Sequence, residues 1–266
     1  MTQALKINNL HKLFERGTIN ENHVLKGVSF SAQEGDFITV IGGNGAGKST
    51  LLNSIAGSFP VDEGSIQIGG VDVTQMPEHK RAKLIGRVFQ DPRLGTATRM
   101  TIQENLAIAK KRGQKRSLRF GTSAKDKAYF YEQVQQLELG LEERMSMDMG
   151  LLSGGQRQAL TLLMATLTKP ELLLLDEHTA ALDPKTAQQV LDLTQKLVEK
   201  NNLTTFMITH NMQDALTYGN RLIMLHNGKI VVDLKDEQKK KATVNDLIEL
   251  FKIRSGQEIE DEGMLL

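Results

Sequence analysis

The chain has 266 residues, of which 39% are apolar, enough to bury the core of one large domain or two modest ones without cross-links. It contains no cysteine, which excludes a disulfide framework and a thiolate metal site and suits a reducing compartment. The 33 basic and 32 acidic residues leave a net charge of +1, so no global field favours nucleic acid.

The opening MTQALKINNL lacks the basic and then apolar pattern of a leader, and no apolar run approaches the roughly 18–20 residues of a membrane span. A soluble, cytoplasmic chain is expected. Residues 5–30 read as extended and turn-rich, which predicts an antiparallel β portion that includes Phe14 in HKLFERG. Short apolar runs follow at 37–41, 66–68, 85–89, 172–175, 204–208 and 221–225. Several are apolar almost throughout, as strands buried on both faces are, and the helical stretches between them predict the crossovers of an α/β sheet.

Residues 91–150 are dominated by helical patterns. Thr101 opens TIQENLAIAK with Glu104 three residues on, as in a capping box, and a second helix is predicted over 123–137. Between them Lys110, Lys111, Arg112, Lys115, Arg116, Arg119, Lys125 and Lys127 face a single acid, Asp126. That composition predicts a solvent-facing insertion, directed to water or to anionic headgroups and not to nucleic acid. Beyond Lys235 come the triplet Lys239, Lys240 and Lys241, the amphipathic run TVNDLIELFKI capped by Thr243, and an acidic tail. No internal repeat or sustained heptad occurs.

The stretch GGNGAGKS, residues 42–49, directly follows the strand FITVI and precedes the helical run STLLNSIAG. Glycines allow successive backbone N–H groups to face one anion, the helix N-terminus adds partial positive charge, and Lys48 reaches the β and γ phosphates. Ser49 supplies a hydroxyl to Mg²⁺. In LLLLDE a buried strand ends in two carboxylates, at the edge where open α/β sheets hold ligands. Asp176 is placed to hold Mg²⁺ through water and Glu177 to polarise a water attacking the γ-phosphate. LSGGQ, with Ser153, Gly154, Gly155 and Gln156, opens another helix and offers a second phosphate-binding surface.

A phosphate loop, LSGGQ and a strand ending in Asp-Glu, in that order, resemble the ABC ATPase family, and the resemblance spans about 5–234. It implies a P-loop NTPase core with a mostly parallel sheet and an inserted helical subdomain at about 91–150, leaving 235–266 as a C-terminal helix and tail. It implies ATP and Mg²⁺ as ligands, with Gly42, Gly43, Asn44, Gly45, Ala46, Gly47, Lys48, Ser49 and Thr50 around the nucleotide. Gln90 in VFQDP resembles the family's glutamine that contacts Mg²⁺ and water, and His210 in MITH the histidine that contacts the γ-phosphate. Ala180 to Asp183 resembles the loop that crosses the dimer interface, and Phe14 falls where the family stacks an aromatic on adenine. Two departures are visible: Gly43 stands where many members have Pro or Ser, and His178 follows Glu177 where most have Pro. The latter is read as a subgroup trait and not as a ligand or base.

The resemblance further implies a head-to-tail homodimer with two ATP molecules between phosphate loop and LSGGQ. Two such elements about a hundred residues apart close more readily over two nucleotides in an isologous dimer than over one. The partners implied are separate transmembrane permease subunits, with an extracytoplasmic substrate-binding protein acting indirectly, at the inner face of the cell membrane. A DNA-repair ATPase would need a long coiled coil between the motifs, and a translation factor would need two cassettes. Import of a small organic solute such as an amino acid, aromatic ones first, is the expectation; an ABC exporter and a non-transport ABC ATPase are the alternatives.

Overall fold

The computed structural model describes residues 3–114 and 122–256. In chain order the elements are β1 (Gln3–Phe14), β2 (Asn22–Gln33), β3 (Phe37–Ile41), α1 (Lys48–Ala56), β4 (Glu63–Ile68), β5 (Val71–Asp72), α2 (Glu78–Arg81) and β6 (Ile85–Val88). Next come α3 (Ile102–Lys110), α4 (Ala124–Gln135), α5 (Gly154–Thr166), β7 (Leu172–Asp176), α6 (Pro184–Asn201), β8 (Thr205–Ile208) and α7 (Met212–Thr217). The described chain closes with β9 (Arg221–His226), β10 (Lys229–Lys235), α8 (Asp236–Lys241) and α9 (Val244–Ser255). The acidic tail lies outside the described residues.

Strands form two sheets, one in the order β2-β1-β4-β5 and the other β10-β9-β3-β8-β7-β6. In the second, β9, β3, β8, β7 and β6 run parallel and only β10 pairs antiparallel. This is the α/β core expected, with one reassignment: the run at 66–68 belongs to β4 in the antiparallel sheet, paired with β1. Its burial alternates, with Ile66 and Ile68 inside and Gln67 only half-buried, as a strand with one packed face requires.

The parallel strands are covered on both faces, and alternate side chains go to opposite layers. Leu172 and Leu174 join Ile38, Val40 and Ile208 in a cluster with Leu51, Leu52 and Ile55 of α1, which lies between the two sheets. Leu173, Leu175 and Met207 face Leu162 of α5 and Leu191 and Val198 of α6. Full burial of each such side chain contributes roughly 1.5–3 kcal/mol. Behind α1, the buried Arg81 donates to the carbonyls of Ser54 and Ile55 in the last turn, where the Gly57 N–H reaches Asn53 and Ser54 but not Ile55.

Ile102 and Leu106 of α3 and Phe130 and Val134 of α4 pack with Leu160 and Leu163 of α5 in a cluster of their own. Both predicted N-termini hold: Thr101 forms a capping box with Glu104, and Ser123 forms one with Asp126, each cap worth about 1 kcal/mol. The basic insertion differs from its expectation at two positions. Lys110 pairs with Asp126 at 2.6 Å, and Arg112 donates to the Ala165 carbonyl at 2.6 Å and to Thr168 Oγ1 at 2.7 Å. These two cations are engaged by groups of the chain itself. Lys115, Arg116 and Arg119 lie outside the described residues. Of the later triplet, Lys239 is buried and donates to the carbonyls of Tyr218 and Gly219, tying α8 to the end of α7.

Candidate active site

Parallel register brings separate motifs to one edge. Val40 stands opposite Ile208, Asp176 opposite Ile208, and Leu175 opposite Val88, so the residues that follow β3, β6, β7 and β8 emerge side by side. Sheet topology, not chain proximity, therefore assembles the loop at 42–49 with Gln90, Asp176, Glu177 and His210.

The loop after β3 is shaped by its glycines. Gly45 and Gly47 adopt φ of 76° and 102°, and a Cβ on Gly42 would lie 2.3 Å from the Leu225 carbonyl oxygen. Around Gly43 and Gly45 a Cβ would meet nothing within 4 Å, which leaves the concave side open to a ligand. The Lys48 side chain is buried and folds back to donate to the carbonyls of Gly42 at 2.6 Å and Gly43 at 3.3 Å. Ser49 is exposed, Thr50 is half-buried, and both lie in the first turn of α1, whose N-terminus opens on the same hollow.

Glu177 has φ of 46°, a left-handed conformation that costs a non-glycine residue about 1–3 kcal/mol and recurs at functional sites. Its N–H donates to the Ile208 carbonyl at 3.2 Å. His210 Nε2 lies 2.7 Å from Glu177 Oε1, and this hydrogen bond holds the Glu177 carboxyl below the usual carboxylate range against the opposing effect of burial. Burial raises Asp176, and the neighbouring Arg87 partly offsets the rise.

Gln90 is exposed and lines a cleft of about 630 Å³ with Arg87, Asp176 and Ala181. Asp176, Ser49 and Gln90 offer carboxylate, hydroxyl and amide oxygens, the hard donors that Mg²⁺ prefers. Arg87 escaped the sequence reading. It lies 3.8 Å from Asp176 Oδ2, donates to Asn53 Oδ1 of α1 at 2.6 Å, and stands 4.5 Å from the Phe89 ring centre. The one available signal was a charged residue inside the otherwise apolar IGRV.

Ser153 caps α5 with Gln156 in a reciprocal box, so the LSGGQ N-terminus is formed as expected. A Cβ on Gly155 would lie 2.2 Å from Thr186 Cγ2, and one on Gly154 would lie 3.2 Å from Leu182 Cδ2. The two glycines thus let α5 seat against the start of α6. Asp183 caps α6 by accepting from the Thr186 N–H at 3.1 Å. Phe14 packs edge-on against Phe59, 5.3 Å between ring centres, with Lys12 Nζ 5.2 Å from its ring. Phe59 lies in the segment after α1 and Lys12 on β1 itself, so neither contact is with the loop at 42–49.

His178 is fully enclosed, and burial pushes its ring down from 6.5 to about 4. The unfolded chain, with an ordinary histidine near 6.5, therefore takes up the proton first. Stability from this residue is complete above pH 6.5 and is lost as pH falls towards 4, at roughly 1.4 kcal/mol per pH unit. Urea unfolding at pH 7.5 and pH 5 is expected to show a lower midpoint at pH 5. The drop should be smaller in His178→Phe, and an equal drop in both proteins would assign it to other groups.

A family model described as ABC transporter matches residues 25–180. Over 251 residues the chain is 43% identical to a tyrosine transport ATP-binding protein of Clostridioides difficile strain R20291, covering 93% of this chain and 98% of that protein. Among solved structures, an ATP-binding cassette of an ABC transporter in its ADP conformation superposes with a TM-score of 0.78 at 27% identity, over 97% of this chain and 100% of that one. A dimeric post-hydrolysis state of an ATP-binding cassette bound to ADP and Pi superposes with a TM-score of 0.74 at 28% identity, over 87% of this chain and 98% of that one.

Proposed function

The chain belongs to the ABC transporter family as an ATP-binding, ATP-hydrolysing subunit, and from that premise we propose that it powers import of an amino acid, tyrosine or a near relative, through separate permease subunits. The observation that carries the catalytic part is the Glu177–His210 pair, 2.7 Å apart beside the loop that holds Lys48. Near-full-length identity with a tyrosine transport ATP-binding protein supports the cargo class. The dimeric cassette structure supports a homodimer as the working form. Among the described residues no helix is long and apolar enough to cross a membrane.

In this reading the N–H groups of residues 42–49 and the Lys48 ammonium bind the β and γ phosphates of ATP. Glu177 accepts a hydrogen bond from the attacking water, and His210 donates to Glu177 Oε1, leaving the other carboxylate oxygen for that water. Mg²⁺, held by Ser49, Asp176 and Gln90, would supply charge neutralisation on the phosphate oxygens. Ser153 and the N-terminus of α5 present the second phosphate-binding surface, to the nucleotide of the partner protomer. Phe14 is assigned to the adenine on its position at the end of β1 alone.

The decisive experiment combines transport and capture. Cells lacking this subunit are expected to lose uptake of labelled tyrosine, and the tagged chain is expected to recover a multi-span membrane protein from solubilised membranes. Intact tyrosine uptake with loss of another solute would change the cargo. Recovery of DNA or ribosomes in place of a membrane protein would overturn the transport reading while leaving the ATPase untouched.

A further inference from the structure

The residue after Glu177 is a histidine with no room to act as a ligand or base, since His178 is only 2% exposed. Its Nε2 lies 3.0 Å from Thr194 Oγ1. The Thr194 hydroxyl has one proton and donates it to the Val190 carbonyl at 2.7 Å. Its oxygen is therefore left to accept, which sets His178 as the neutral tautomer with hydrogen on Nε2. The imidazole crosses from the end of β7 into the interior and grips α6 in the middle of that helix.

The turn thus anchored is the one that carries Glu177 at a φ of 46°. A left-handed glutamate persists only where its surroundings hold it. Three attachments do so: the Glu177 N–H on the Ile208 carbonyl at 3.2 Å, the Ala180 N–H on the Glu177 carbonyl at 3.0 Å, and the His178 ring on Thr194. The first two fix the peptide on either side of Glu177. Neither ties the turn to a helix, and His178 alone of the three does so with a side chain. The same helix begins at Asp183, which caps it, so residues 178–183 are stapled to α6 at both ends.

We infer that His178 is a positioning residue for Glu177: through Thr194 it holds the carboxylate-bearing turn against α6 and acts on the hydrolytic step without touching the nucleotide. The inference rests on the assignment of Glu177 made above. Small displacements of a reacting group are costly, about 10²-fold in rate for 1 Å, whereas nucleotide binding draws on Lys48 and the loop at 42–49.

The test uses the purified full chain, with ATP affinity measured by titration and turnover by phosphate release. His178→Phe keeps the ring and loses the donor; Thr194→Val keeps the shape and loses the acceptor. Each is expected to lower kcat roughly tenfold with ATP affinity within twofold, and the double variant to be no worse than either single one. His178→Gln, whose amide can donate to Thr194, is expected to recover most of the rate. Added to Glu177→Gln, His178→Phe should leave the residual single-turnover rate unchanged, because it acts through the carboxylate already removed. Wild-type kcat in Thr194→Val, with the fold verified by thermal melting, would overturn the inference. So would an equal loss in the wild-type and Glu177→Gln backgrounds, which marks a general structural effect. A Glu177→Gln variant that turns over normally would remove the assignment of Glu177, and the inference with it.

Discussion

Glu177→Gln is expected to lower ATP turnover by about 10²–10⁴-fold while ATP still binds, the range that a positioned general base contributes. The substitution preserves size and leaves a carbonyl oxygen to accept the 2.7 Å hydrogen bond from His210. What disappears is the charged oxygen proposed to polarise water. The hydrogen bond from His210 lowers the carboxyl from its ordinary value against the opposing effect of burial, which favours the ionised, accepting form. With hydrolysis blocked, MgATP should hold two protomers together. Size-exclusion chromatography is expected to show an ATP-dependent dimer that disappears when Ser153→Arg is added, because the new side chain fills the N-terminus of α5 that is proposed to face phosphate. Turnover at the wild-type rate would move the catalytic role elsewhere, with His210 the next candidate.

Lys48→Ala is expected to weaken ATP binding by roughly 30-fold to several thousand-fold, the 2–5 kcal/mol lost when one partner of a buried charge pair is truncated. Lys48 is 6% exposed, and its ammonium is already held inside the loop by the Gly42 and Gly43 carbonyls. A phosphate that displaces those carbonyls meets a cation whose desolvation and ordering have largely been met during folding. Alanine removes the charge and leaves the carbonyls to water. Titration with a fluorescent ATP analogue measures the loss, with circular dichroism confirming an intact fold. Affinity within twofold of wild type would separate residues 42–49 from phosphate binding.

The motifs legible in the sequence are those whose geometry is made by neighbours in the chain. A glycine-rich loop between an apolar strand and a helix can be read in GGNGAGKS, because each N–H that faces an anion belongs to the same short segment. The Thr101, Ser123, Ser153 and Thr243 caps form with acceptors and donors three residues away, so pattern alone locates them. The chain's order of motifs likewise indicates its family before any contact is known.

Other features depend on partners distant in the chain, and tertiary structure decided them. The run at 66–68 joined the antiparallel sheet because β1, some sixty residues earlier, supplies its hydrogen bonds. Arg87 became part of the site because parallel pairing of β6 with β7 sets it beside Asp176, although its own neighbours describe an ordinary apolar strand. By composition Lys110 and Arg112 belong to a solvated basic run, whereas Lys110 pairs with Asp126 while staying 40% exposed and Arg112 turns in to the end of α5. His178 read as a variation in a motif, and only the packing of α6 reveals the acceptor that its ring requires. Local backbone chemistry determines which segments can bind phosphate or start a helix; burial and hydrogen-bond completion across the sheet and into α6 determine which charges stand together, because those energies depend on groups that the sequence places far apart.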